Sequence, residues 1–229
     1  MKRYSLEEIR KTQKGRGFYL KIFNEAASRL VYLLQDRKLS ANAITAVSFL
    51  FGIGFFLTVS FGHYLAGIVM LSLLYLFDNM DGQWARVKGE SSTFGALFDS
   101  LVDGWNITLM AFALGIAAYH RSGETEALYL TALFFALSFL DFALEKNLCQ
   151  ERQKGSGEER GEEISLQKRS STLRPIIALI DRMTLYDKWI LVTTIALLAG
   201  EPEWALLYFV AVRFVNYSVK LFKFYLAFR

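Results

Sequence analysis

The chain has 229 residues, 53% of them hydrophobic and 15% aromatic, with 26 basic side chains against 22 acidic ones. Apolar runs of membrane length recur along it, which excludes a soluble globular domain and predicts a polytopic membrane protein. A single cysteine, Cys149, excludes an internal disulfide framework and reads as an incidental thiol.

Residues 1–38 are rich in charge, unlike a cleavable signal peptide. Within them, "FYLKIFNEAASRLVYLL" (18–34) sets Tyr19, Ile22, Phe23, Ala26, Leu30 and Leu33 on one helical face. Lys21, Asn24, Glu25, Ser28 and Arg29 fall away from that face. The pattern predicts an amphipathic helix lying on the membrane surface.

From residue 39 to 229 the sequence predicts an all-α domain with six transmembrane helices. The spans fall at 42–62, 64–84, 95–119, 125–146, 186–200 and 202–222. The fifth is short and is expected to borrow length from "LRPIIALIDRMT", where Pro175 suits a helix start. Residues 149–170 are polar and of mixed charge, and they predict a mobile loop.

The basic residues fix an orientation. Ten precede the first span, two (Arg86 and Lys88) lie between spans two and three, nine lie from 146 to 188, and three lie from 220 onward. The other connections hold only Arg121. By the positive-inside rule, both termini and the turn between spans two and three face the cytoplasm, in the cytoplasmic membrane. The excess positive charge is therefore a topology signal and an attraction to anionic lipid, not a nucleic-acid surface.

That turn joins the most polar stretch of the apolar region, "LFDNMDGQWARVKGESSTFGALFDSLVDGW" (76–105). Asp78 and Asp81 are three apart on one helix, and Asp99 and Asp103 are four apart on the next, so each pair shares a helix face. A charged side chain inside a bilayer costs roughly 2.5–3.5 kcal/mol on insertion scales, so four carboxylates need a compensating partner. Four carboxylates on two neighbouring helices form an oxygen-donor site for one or two hard cations, Mg²⁺ or Mn²⁺. The absence of Cys or His nearby argues against zinc. Paired metals point to chemistry at phosphorus. Gly82, Ala85 and Gly95 would let a flat group approach the helix backbones. Arg86 could neutralise a phosphate, and one aspartate could take a proton from an attacking hydroxyl.

The spacing Asp78-x₂-Asp81-Gly82-x₂-Ala85-Arg86-x₈-Gly95-x₃-Asp99-x₃-Asp103 resembles the signature of the CDP-alcohol phosphotransferase (CDP-alcohol phosphatidyltransferase) family at every position. "NAIT" (Asn42–Thr45) is similar to the family's "PN-x-x-T", with Ala41 in place of proline. The resemblance implies a metal site of Asp78, Asp81, Asp99 and Asp103, with two Mg²⁺ or Mn²⁺ ions and Asp103 as general base. It implies that Gly82, Ala85, Gly95, Asn42 and Thr45 accommodate the cytidine nucleotide and that Arg86 contacts its diphosphate. The implied reaction joins the phosphoalcohol of a CDP-linked lipid to a small polar alcohol and releases CMP. A homodimer in the membrane is also implied.

The acceptor is less legible. A phosphorylated acceptor needs basic residues, for which Lys146, Arg169, Arg174, Arg182, Lys188 and Arg213 are candidates. Lys188 resembles a position that relatives use for phosphorylated polyols. Arg213 is the basic residue set well inside an apolar run, where it either serves function or snorkels to the interface. Gly104 departs from relatives that carry Arg or Lys after the fourth aspartate, which leaves serine as well as polyols open. His63 and His120 fall at the opposite end of the spans from the aspartates. Two other readings compete: a prenyltransferase holding a diphosphate, which leaves the Gly/Ala/Arg positions unexplained, and a divalent-cation transporter, which calls for carboxylates near the bilayer midplane.

Overall fold

A computed structural model describes residues 3–13, 18–154 and 186–227. These form eight helices: α1 (Leu6–Arg10), α2 (Phe18–Leu34), α3 (Ala41–Ser60), α4 (Tyr64–Lys88), α5 (Thr93–Ser122), α6 (Glu126–Lys154), α7 (Tyr186–Ala199) and α8 (Pro202–Ala227). No strand occurs among the described residues. Five helices, α3, α4, α5, α6 and α8, contain segments long and apolar enough to cross a bilayer, so the protein is a polytopic, all-α membrane protein. At 14 residues α7 is shorter than a bilayer requires. The stretch expected to lengthen it, including Pro175, lies outside the described residues, as does the expected loop beyond 154. Residues 149–154, predicted as the start of that loop, continue α6.

Local chemistry sets the helix ends. Ser40 caps α3 through the Ala43 N–H (3.2 Å), and Ser92 caps α5 through the Gly95 N–H (2.9 Å). Gly89 closes α4 in the left-handed region at φ 68°, where a side chain is disfavoured. The four-residue turn 89–92 therefore reverses the chain sharply, and α4 and α5 run as an antiparallel hairpin. Both helices extend past the expected spans, α4 to Lys88 and α5 back to Thr93, because their polar ends keep helical hydrogen bonding after the apolar pattern stops.

Two apolar clusters hold the bundle. The larger joins α3 through α8 around Phe55, Leu71, Met110, Leu114, Phe134, Trp189 and Phe209. The smaller sits under the N-terminal helices and contains Ile9, Ala27, Val31, Ile44, Met80, Trp84 and Val87. Small residues allow close crossings. A Cβ on Gly52 of α3 would come within 2.1 Å of Asn106 Oδ1 on α5. At the end of the bundle remote from the 89–92 turn, Arg121 pairs with both Glu201 and Glu203 and so ties the α5–α6 turn to the α7–α8 turn.

The second helix has an exposed apolar edge and a buried polar one. Ile22 and Leu33 of the expected apolar face are exposed, at 54% and 68%. Asn24 and Ser28, expected to point away from the membrane, are instead buried with Ala27 and Val31 against α4. The reason is a polar partner: Gln83 of α4 is itself buried and bonds to both of them. At its outer edge α2 is tied to α1, where Arg10 and then Arg29 hold the Glu25 carboxyl below its ordinary range.

Candidate active site

Helical geometry brings the four aspartates together at the closed end of the α4–α5 hairpin. Asp78, Asp99 and Asp103 each offer an oxygen, and these oxygens lie within 4.8 Å of one another. Asp103 Oδ1 is buried without a hydrogen-bond partner. Asp81 is buried beside them, and its Oδ2 accepts from Thr45 Oγ1 at 2.5 Å. Crowded carboxylates of this kind repel one another unless cations sit between them.

All four aspartates line a cavity of about 160 Å³ with Asn24, Asn79, Gly82 and Arg86. Arg86 is the one basic residue in that lining. Its guanidinium folds back over Gly82, 3.1 Å from where a Cβ would stand, so a larger residue at 82 would displace it. The donor set is all oxygen and holds neither His nor Cys, so its chemistry fits a hard divalent cation.

A second cavity, of about 140 Å³, shares Asp81, Gly82 and Asp99 with the first. Its other walls are Ala41, Asn42, Thr45, Ala85, Glu90, Ser91, Ser92, Gly95 and Ala96. The residues singled out in the sequence therefore sort into two joined spaces. The acidic one contains Arg86; the other contains Asn42, Thr45, Ala85 and Gly95. Gly95 is needed for its shape, since a Cβ there would stand 3.2 Å from Asn42 Oδ1. Where the family pattern has proline, Ala41 carries an N–H, and this donates to Glu90 Oε2 at 3.0 Å. Glu90 thereby becomes part of the cavity wall.

The expected acceptor residues are not in either lining. Lys188 is exposed at the start of α7. Arg213 lies 3.5 Å from the buried Asp141 of α6, which Lys220 also meets at 2.9 Å. The Arg213 guanidinium sits over the rings of Phe134 and Trp189, at 5.5 and 5.4 Å from their centroids. The side chains of Lys146, Arg169, Arg174 and Arg182 fall outside the described residues. Gly104 is exposed on α5, with no atom within 4 Å of where its Cβ would stand. Sequence reasoning missed Asn24, Asn79, Glu90, Ser91 and Ser92 as cavity walls. Only the position of Asn79, one residue after Asp78, carried a local signal.

The site is thus an acidic centre whose carboxylates could hold a metal ion, at one end of a membrane helical hairpin and beside a cleft floored by small residues. A model of the CDP-alcohol phosphatidyltransferase family matches residues 38–198, most of the chain, and the protein belongs to that family. The bifunctional IPC transferase and DIPP synthase of Thermococcus kodakarensis is 36% identical over 103 residues, which cover 43% of this chain and 24% of that protein. The protein of the same name from Aquifex aeolicus is 26% identical over 132 residues, covering 58% of this chain and 30% of its own length. The chain therefore matches less than a third of either relative.

Proposed function

We propose that the protein is an integral membrane enzyme that transfers the phosphoalcohol group of a CDP-linked lipid, such as CDP-diacylglycerol, to the hydroxyl of a small polar alcohol. The observation that carries this reading is the shared wall of Asp81, Gly82 and Asp99. It lets a diphosphate reach the acidic cavity while its nucleoside stays in the neighbouring cleft. Family membership and the transferase named in both relatives support the same reaction class.

Two Mg²⁺ or Mn²⁺ ions held by Asp78, Asp81, Asp99 and Asp103 would supply the positive charge that a diphosphate and a departing phosphate require. The protein's own residues do the rest. Thr45 fixes the rotamer of Asp81. Arg86 neutralises a phosphoryl oxygen. Asp103, whose Oδ1 has no hydrogen-bond partner among the described residues, accepts the proton as the acceptor oxygen attacks the phosphorus that bears the donor alcohol. The new O–P bond forms as the bond to the bridging oxygen breaks, and that oxygen leaves with CMP.

In this reading the acceptor is a polyol or polyol phosphate, with serine as the alternative. Residues 1–38 form a cytoplasmic segment in which Ile22 and Leu33 of α2 meet lipid. Residues 39–229 form the catalytic domain, with six crossings. Both termini and the site face the cytoplasm, and two copies associate in the membrane.

The test is CMP release by purified protein given CDP-diacylglycerol and Mg²⁺, with inositol, inositol phosphate, glycerol phosphate and serine supplied separately. One acceptor should support release. Chelation should abolish it, and Asp103→Asn should reduce it by about 10²–10⁴-fold. Release that survives both treatments would sink the proposal.

A further inference from the structure

Glu90 is the one carboxylate that lines the second cavity alone, since Asp81 and Asp99 belong to the wall shared with the acidic space. Two hydrogen bonds hold it. Its backbone N–H donates to the Ala85 carbonyl at 3.0 Å, and its Oε2 accepts from the Ala41 N–H, also at 3.0 Å. The carboxyl is therefore pinned between the α4–α5 turn and the start of α3, while Oε1 has no hydrogen-bond partner among the described residues. A carboxylate is an awkward wall for a space that adjoins a diphosphate, because it repels anions and can only accept hydrogen bonds. The aspartates can be offset by a cation, but Glu90 is not among the carboxylates whose oxygens converge on one point. The group that suits it is a neutral donor.

We propose that Glu90 is a specificity-determining residue that reads the nucleobase, its Oε1 accepting from the exocyclic amine of cytosine. The inference rests on the phosphotransfer reading above and deepens it by naming the side chain that selects the nucleotide. With the diphosphate against Asp81, Gly82 and Asp99, the base extends into the part of the cleft that Glu90 lines. There cytosine presents a donor, the N4 amine, where uracil presents an acceptor, O4. The carboxylate attracts the first and repels the second, so selection comes from an unfavourable contact as well as a favourable one. Because Ala41 already holds Oε2, little side-chain freedom is lost when the base arrives.

The experiment measures binding of CDP and of UDP to the full-length protein in detergent with saturating Mg²⁺. It compares wild type with Glu90→Gln and Glu90→Ala. The glutamine keeps an oxygen for the Ala41 N–H and turns an NH₂ to the ligand, so an acceptor becomes a donor. Wild type should bind CDP more tightly than UDP. Glu90→Gln should weaken CDP about tenfold and tighten UDP. Glu90→Ala should weaken CDP without weakening UDP. A CDP-to-UDP affinity ratio that Glu90→Gln leaves at the wild-type value would overturn the assignment, as would an equal loss of both nucleotides in Glu90→Ala, which would mark Glu90 as a helix cap alone. Either result leaves the phosphotransfer reading intact. A wild-type protein that binds neither nucleotide would overturn both.

Discussion

At the scale of single residues, a hydroxyl supports the site and a missing methyl supports the packing of the bundle. Thr45 on α3 donates to Asp81 on α4, so one side chain links the first membrane helix to the metal-binding set. Thr45→Val keeps the shape and removes the donor. Outer partners of this kind typically contribute 10–100-fold to metal affinity, so the Mg²⁺ concentration for half-maximal CMP release should rise by roughly tenfold or more. An unchanged Mg²⁺ titration would show that Asp81 needs no such support. Gly52 acts by absence. Its missing Cβ is what lets the fully buried Asn106 fit between α3 and α5. Gly52→Ala should destabilise the fold by about 1–3 kcal/mol through overpacking, read as a lower Tm in detergent. A Tm equal to wild type would mean that Asn106 can move aside.

At the scale of helices, the apolar runs located the long elements, because a segment that must bury its backbone polar groups in lipid has little choice but helix. That the aspartates, Gly82, Ala85, Arg86 and Gly95 share faces was also legible, since helical periodicity makes fixed spacing a statement about faces, while Asn42 and Thr45 were picked out by the family resemblance alone. Two kinds of feature were not. The short α1 lies in a charged stretch without an apolar run, although Ser5 and Glu8 form the capping box that starts it. The packing of α2 against α4 was hidden because its buried contacts are made by polar residues. Asn24 and Ser28 are polar for the sake of Gln83, more than fifty residues away, and no local pattern announces a partner at that distance. Asn24 was lost as a candidate site residue for the same reason. Arg213 was picked out correctly as anomalous, but Asp141, its neighbour in space, lies on a different helix.

At the scale of the whole molecule, the two ends of the bundle have separate duties. The end bearing the 89–92 turn carries the candidate site, and the other carries the Arg121–Glu201–Glu203 clamp. The clamp's side chains are partly exposed to solvent, so screening leaves each pair a small contribution to stability. Arg121→Ala should therefore lower the Tm by only a few degrees and leave the rate of CMP release unchanged. A large loss of activity would reveal coupling between the two ends.

All four carboxylates of the candidate metal site come from one hairpin with a four-residue turn. Closing so short a loop costs little chain entropy, and both helices it joins pack against α3, which precedes them in the chain. The hairpin can form during synthesis as soon as α5 has entered the bilayer, before α6, α7 and α8 exist. Its last step, bringing like charges together, is the one that a cation favours. The order of assembly is thus written into the spacing: the ion-binding half can be complete while the rest of the bundle is still on the ribosome.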